Sequence, residues 1–157
     1  MPASSFIYNY AKSFLNGGSG FCAWSSTTAS FYVTLVSNNY VPNEDDRFAS
    51  VFSGAELGAA SFTSGFGGTI RLSLTGRVLN TNLVSNQAEF QANTLTWSGI
   101  AAANGVAHAF VALHQNTSNG NSELVTYNSL GGFPITPNGT NLTLSFTSAG
   151  VVTLIDA

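Results

Sequence analysis

The sequence predicts a mainly β protein: an antiparallel β-sandwich of about seven to eight strands, jelly-roll or immunoglobulin-like, preceded by one short N-terminal helix. Three observations carry this reading. Beyond Gly20 the apolar residues recur with a period of two, in short segments rich in β-branched and aromatic side chains. These segments are separated by Gly, Asn and Ser clusters, with no helical pattern alternating between them, so the strands pair antiparallel in facing sheets and do not build β-α units. The chain has 157 residues, the size of one domain able to close its own core, and it shows no linker and no internal repeat.

The elements follow in order. Within residues 1–18, Phe6 and Ile7, Tyr10 and Ala11, and Phe14 and Leu15 recur at the four-residue spacing of one helical face. Ser4 or Ser5 can cap that helix, and Gly17-Gly18 can end it in a left-handed turn. Its apolar stripe reads as a lid on the fold's own core, because the opposite face has one Lys and no basic band. The sandwich spans 30–156. Its strands are expected in "SFYVTLVS" (30–37), "TIRLSLTG" (69–76), "AEFQANTLTW" (88–97), "VAHAFVALHQ" (106–115), "ELVTYNS" (123–129), "NLTLSFTS" (141–148) and "GVVTLID" (150–156). "HQNTSNGNSELV" reads as a hairpin with an Asn-Gly loop, and "SFTSAGVVTL" as a tighter one around Ala149-Gly150. The long irregular stretch, about 38–68, holds a helical turn near "RFASVF" and a glycine cluster. A loop of that length inside a compact domain is functional or carries structure of its own.

Composition narrows function. Charged residues make up 7% of the chain, against roughly 25% in ordinary soluble domains. Their place is taken by 20 Ser, 16 Thr and 16 Asn. A neutral polar surface with a net charge of −3 repels its own copies weakly, as suits shells, tails, fibres and adhesins. The four basic residues, Lys12, Arg47, Arg71 and Arg77, form no patch for a phosphate backbone, so no nucleic-acid partner is expected. No apolar run reaches the ~18 residues of a membrane helix, and the N-terminus lacks the pattern of a signal peptide. The expectation is a protein made in the cytoplasm without export. The single Cys22 reads as a small buried hydrophobe.

Against this background "YVPNEDDRF" stands out, because Glu44, Asp45, Asp46 and Arg47 are four of only eleven charged residues. A calcium loop needs ligands at alternating positions with a glycine at the sharp turn, which these adjacent acids do not supply. Glycosidase carboxylates flank a bond from separate positions, and none of Glu56, Glu89, Glu123 or Asp156 is marked out as the second group. His108 and His114 share a strand face but stand about 20 Å apart, too far to share a metal or a proton. "SGFGGT" precedes a strand and so does not read as a phosphate loop. No catalytic, metal or cofactor site is expected, and the protein reads as a non-enzyme. Two readings of the run stay open: a solvated loop tip, or an electrostatic contact with a partner made by Tyr40, Glu44, Asp45, Asp46 and Arg47. Exposed aromatics, with Trp24, Trp97, Tyr40 and Tyr127 as candidates, offer a separate carbohydrate-binding reading, in which Trp97 is the one most suited to the core.

The stretches "FYVTLVSNNYVPNEDD" (31–46), "SGFGGTIRLSLT" (64–75), "FQANTLTWSGI" (90–100), "AHAFVALHQ" (107–115) and "SAGVVTLID" (148–156) come in an order and spacing that resemble a family of small structural proteins of tailed bacteriophages. The resemblance spans nearly the whole chain and departs from the pattern at Phe66, where Tyr is usual, and at Asn43, where Asp is usual. It implies a virion component, most directly a capsid cement or decoration protein on the head surface, bound to the major capsid protein. On that reading self-association about a lattice symmetry axis would add avidity, and trimers are the expectation for a threefold position. A tail, baseplate or receptor-binding component is the alternative within the same family.

Overall fold

The computed structural model describes residues 4–15, 24, 29–52, 54–57, 71–82, 87–100, 105–146 and 152–155. Within them the fold is mainly β, with antiparallel sheets and one short helix. In chain order the elements are β1 (Ser5–Ile7), α1 (Asn9–Leu15), β2 (Phe31–Val36), a 3-10 turn (Ala49–Phe52), β3 (Arg71–Ser73), β4 (Val78–Asn82), β5 (Gln87–Gln91), β6 (Leu95–Trp97), β7 (Ala109–His114), β8 (Glu123–Asn128), β9 (Leu142–Leu144) and β10 (Val152–Ile155). They build a five-stranded sheet in the order β1-β8-β7-β2-β3, a three-stranded sheet β10-β5-β4 and a two-stranded sheet β6-β9. No helix among the described residues is long and apolar enough to cross a membrane.

Period-two alternation sends the side chains of the central sheet to two different cores. On one face Phe31, Val33 and Leu35 of β2, with Phe110 and Ala112 of β7, meet Phe90, Leu95 and Trp97 from the smaller sheets, together with Trp24 and Ile100. This is the sandwich face. On the other face Val36, Ala109, Val111, Leu113, Leu124 and Tyr127 are covered by Tyr8 and Ala11 at the helix and by Tyr40, Ala49, Phe52 and Ala55. One irregularity makes that second face continuous. Ala112 pairs with Thr126 and Leu113 with Leu124, which leaves Val125 as the extra residue of a β-bulge. Leu124 and Tyr127 therefore point to the same side, while Val125 joins the opposite core.

Several sequence expectations change here. The helix is shorter than 1–18: Ser5–Ile7 is a strand, its residues paired with Asn128, Tyr127 and Thr126 of β8, and the helix starts only at Asn9. Phe6 and Ile7 share the helical spacing of the later pairs, but the open edge of β8 offers their backbone a ladder, and Phe6 stacks on Tyr127 at 5.4 Å. Seven residues are too few to hold a helix in water, since isolated helices shorter than ~12–15 residues are marginal. Packing of Tyr8 and Ala11 holds it, as the lid reading expects. The expected Gly17-Gly18 stop lies outside the described residues.

The segment 88–97 is two strands in two sheets, broken around Asn93, whose amide donates to Thr75 O at 2.9 Å. The hairpin expected around Ala149-Gly150 is not formed as a pair: β9 bonds to β6 and β10 to β5. Its turn lies outside the described residues, as does the glycine cluster of 58–70. The other expected hairpin is present as β7–β8. β4 went unread because "VLNTN" mixes apolar and amide residues. Its entry is set by Gly76, at φ +59, where the chain leaves β3 and crosses to the second sheet. A Cβ there would meet only the end of the exposed Asn93 side chain, so it is the left-handed backbone that favours glycine.

Candidate functional site

The long stretch after β2 is an organised cover on the second face of the central sheet. Ser37 N donates to Ala55 O at 2.8 Å, and Leu57 N to Leu35 O at 3.0 Å, so the stretch returns to the strand it left. Between these ties lies the charged run. Its tip is a turn at Glu44-Asp45, closed by Asp46 N to Asn43 O (3.0 Å) and Asp45 N to Asn43 Oδ1 (3.1 Å), the local bonding for which Asn is favoured in turns. The expected helical turn near "RFASVF" is the 3-10 turn, which buries Ala49 and Phe52.

Each charge of the run is bound by the chain itself. Asp46 Oδ2 accepts from Asn43 N at 3.1 Å and from the Tyr40 hydroxyl at 2.8 Å. The Tyr40 oxygen lies 2.8 Å from the Tyr8 hydroxyl. Tyr40 has one proton and gives it to Asp46, so Tyr8 is the donor in that second bond. The result is a relay, Tyr8 to Tyr40 to Asp46, joining the start of the helix to the loop. Burial pushes both hydroxyls above their ordinary value of 10.0, with the Asp46 charge adding to the shift in each. Both therefore stay protonated and act as hydrogen-bond carriers, not as bases.

Asp45 and Glu44 hold the first turn of the helix. Asn9 Nδ2 donates to Asp45 Oδ1 at 2.7 Å, Asn9 N donates to Glu44 O at 2.8 Å, and Lys12 Nζ lies 3.1 Å from Glu44 Oε2. Arg47 sits over the Tyr10 ring, 3.5 Å from its centre, and over Phe48 at 4.6 Å. It also bonds the Tyr10 hydroxyl and reaches Glu123 Oε1 at 3.3 Å. Glu123 in turn faces His114 Nδ1 at 3.6 Å. Magnitudes rank these contacts. Exposed ion pairs such as Lys12–Glu44 contribute about 0–1 kcal/mol, whereas a fully buried large side chain such as Tyr8 or Phe52 contributes about 1.5–3 kcal/mol. Apolar burial holds the cover down, and the charges set its register.

The three acids therefore diverge, to Lys12, Asn9 and Tyr40 respectively. Among the described residues, no three His, Cys, Asp or Glu side chains come together as metal ligands would. Of the five residues expected to meet a partner, Tyr40 is only 3% exposed, inside the second core, while Glu44, Asp45 and Arg47 stand at the surface. The four aromatics considered for sugar stacking, Trp24, Trp97, Tyr40 and Tyr127, are all buried; Trp24 Nε1 donates to Gln91 O at 3.1 Å. Beside Tyr40, Val41 is 74% exposed, the most open large apolar side chain among the described residues.

Sequence reasoning missed a second ionic group on the same face. Arg71 is fully buried and makes a two-pronged pair with Glu56, Nε to Oε1 at 2.5 Å and Nη2 to Oε2 at 2.8 Å. Its remaining donors reach Asn119 Oδ1 at 3.0 Å and Gln115 Oε1 at 3.3 Å. Arg71 pairs with Thr34 across β2, and through Glu56 it fastens the far end of the cover, while through Asn119 and Gln115 it fastens the β7–β8 loop. A signal existed: an Arg inside the apolar alternation "TIRLSL" demands a buried carboxylate. The sequence offered several acids and no way to choose among them.

No protein-family model, curated protein or solved structure matches this chain.

Proposed function

We propose that the chain is a structural, non-enzymatic virion subunit, a capsid cement or decoration protein that binds the assembled head shell of a tailed bacteriophage. The observation that carries the reading is the disposition of charge. Three of the four basic side chains are paired with the chain's own acids, Lys12 with Glu44 and Arg47 with Glu123 at the surface and Arg71 with Glu56 in the interior, and the fourth, Arg77, lies over the Phe31 ring at 4.7 Å. Besides Glu44, Asp45 and Arg47 at the tip, what faces outward is an amide- and hydroxyl-rich surface that also carries Val41, Val51, Val78, Leu79 and Leu130. Such a surface favours contact with other subunits over free diffusion. The resemblance of the sequence to phage structural proteins points the same way.

The mechanism is mass action. A protein that binds only the assembled shell stabilises it by its binding free energy, about 2.7 kcal/mol per site at a free concentration 100 times Kd, repeated over the lattice. The contact surface we assign is the tip around Val41, with Glu44 and Asp45 beside it fixing register. The test is co-sedimentation with decoration-free expanded heads. Saturable binding is expected, weakened at least tenfold by Val41→Asp with no change in the melting of the free protein. Absence of binding by the unaltered protein would overturn the reading. A tail or baseplate position within the same family is distinguished by copy number in intact virions, tens against the hundreds of a cement protein.

A further inference from the structure

We infer that β4 is an adhesive edge through which two copies of this chain pair antiparallel, joining their three-stranded sheets into one continuous sheet. β4 ends the order β10-β5-β4, so among the described residues no strand lies along the other side of its backbone. At five residues it is longer than the strands at the other sheet edges: β1 and β3 have three, β10 has four, and both members of the two-stranded sheet have three. Val78 is 48% exposed and Leu79 46%. Consecutive strand residues point to opposite faces, so at Val78 and Leu79 the strand is open on both of them.

Proteins ordinarily blunt such an edge with Lys, Pro, an inward-pointing charge or a covering element. Val78–Asn82 contains no charged residue and no proline. The nearest preceding charge, Arg77, is drawn onto the Phe31 ring, away from the edge. Glu89 lies on β5 opposite Asn80, so in a paired sheet both β4 strands separate it from its copy.

The uncharged edge also identifies the occupant. It has no charge with which to select a partner of opposite sign, whereas a second copy brings the same half-apolar strand and sets no like charges across the ladder. A two-fold axis through Leu79 places the two Leu79 side chains opposite each other and Val78 of each copy opposite Asn80 of the other. Five residues a side bury well under the ~1,200 Å² of a stable interface. The pair is therefore weak, reversible on dilution, and favoured wherever copies are concentrated. The inference stands on the edge alone and does not depend on the capsid reading.

Sedimentation velocity over a concentration series tests it, on the full chain and on Leu79→Lys, Asn80→Lys and Val51→Lys. The unaltered chain is expected to shift from monomer toward dimer as concentration rises. Both β4 variants are expected to stay monomeric at every concentration, and Val51→Lys, which adds the same charge at the 3-10 turn, to dimerise normally. Circular dichroism checks that each variant folds; if Leu79→Lys does not, Asn80→Lys at its exposed position carries the test. A monomer at all concentrations, dimerisation that survives the folded β4 substitutions, or equal loss in Val51→Lys would overturn the inference.

Discussion

Tyr40 shows how one side chain sets the character of the charged run. Its ring packs edge-on to Phe52 at 5.4 Å and to Tyr127 at 6.1 Å, and its hydroxyl joins Tyr8 to Asp46. Tyr40→Phe keeps the ring and deletes the relay, taking the acceptor from the buried Tyr8 hydroxyl and leaving Asp46 Oδ2 with the bond from Asn43 N. A loss of about 1–3 kcal/mol is expected in urea unfolding, the usual cost of an unsatisfied buried polar group. The same residues fix an alkaline response. Both phenols are raised above 10.0 by burial, so the unfolded chain releases these protons first. Their contribution is complete below that value and declines as pH rises beyond it. Urea midpoints measured from pH ~9 to ~11.5 are expected to fall, more steeply for the unaltered chain than for Tyr40→Phe, because the ordinary phenol pKa of ≈ 10 lies inside that window.

The elements show which features were legible in the sequence. β2, β7 and β8 read correctly because their alternation is long and β-branched, and each is buried on both faces in the central sheet. The segment 5–7 misled because a two-turn apolar spacing is compatible with helix, and only the edge of β8, distant in sequence, decides for strand. The cover over residues 40–57 was flagged by its length and charge, but its role was not legible: the groups that bind the run, Tyr8, Asn9, Tyr10 and Lys12, lie more than thirty residues earlier. The Arg71–Glu56 pair was hidden for a similar reason, since the members of its network come from three separate segments: β3, the cover and the β7–β8 loop. Removing one member leaves the other buried and uncompensated, at a typical cost of 3–5 kcal/mol. Arg71→Met is therefore expected to lower stability by roughly that amount in denaturant titration, far more than Lys12→Met, whose ion pair is exposed.

At the scale of the molecule, a charge-poor chain pairs its charges with one another, buried at Arg71–Glu56 and exposed at Lys12–Glu44. The ion pairs of Lys12, Arg47 and Arg71 all lie on the covered face of the central sheet or at its margin, and the sandwich face is closed mainly by apolar packing around Trp97 and Phe31. Such a molecule presents little long-range field, so the proposed association with other subunits would rest on shape, apolar contact and amide hydrogen bonds. Binding to a shell is then expected to change less than about threefold between 50 and 300 mM salt, because the exposed charges of the tip fix register and the apolar contact at Val41 carries the affinity. The proposed role is tested most directly by the melting temperature of decoration-free expanded heads with and without the purified protein. A rise that saturates at a fixed number of copies per head is expected. An unchanged melting temperature at saturating protein would contradict it.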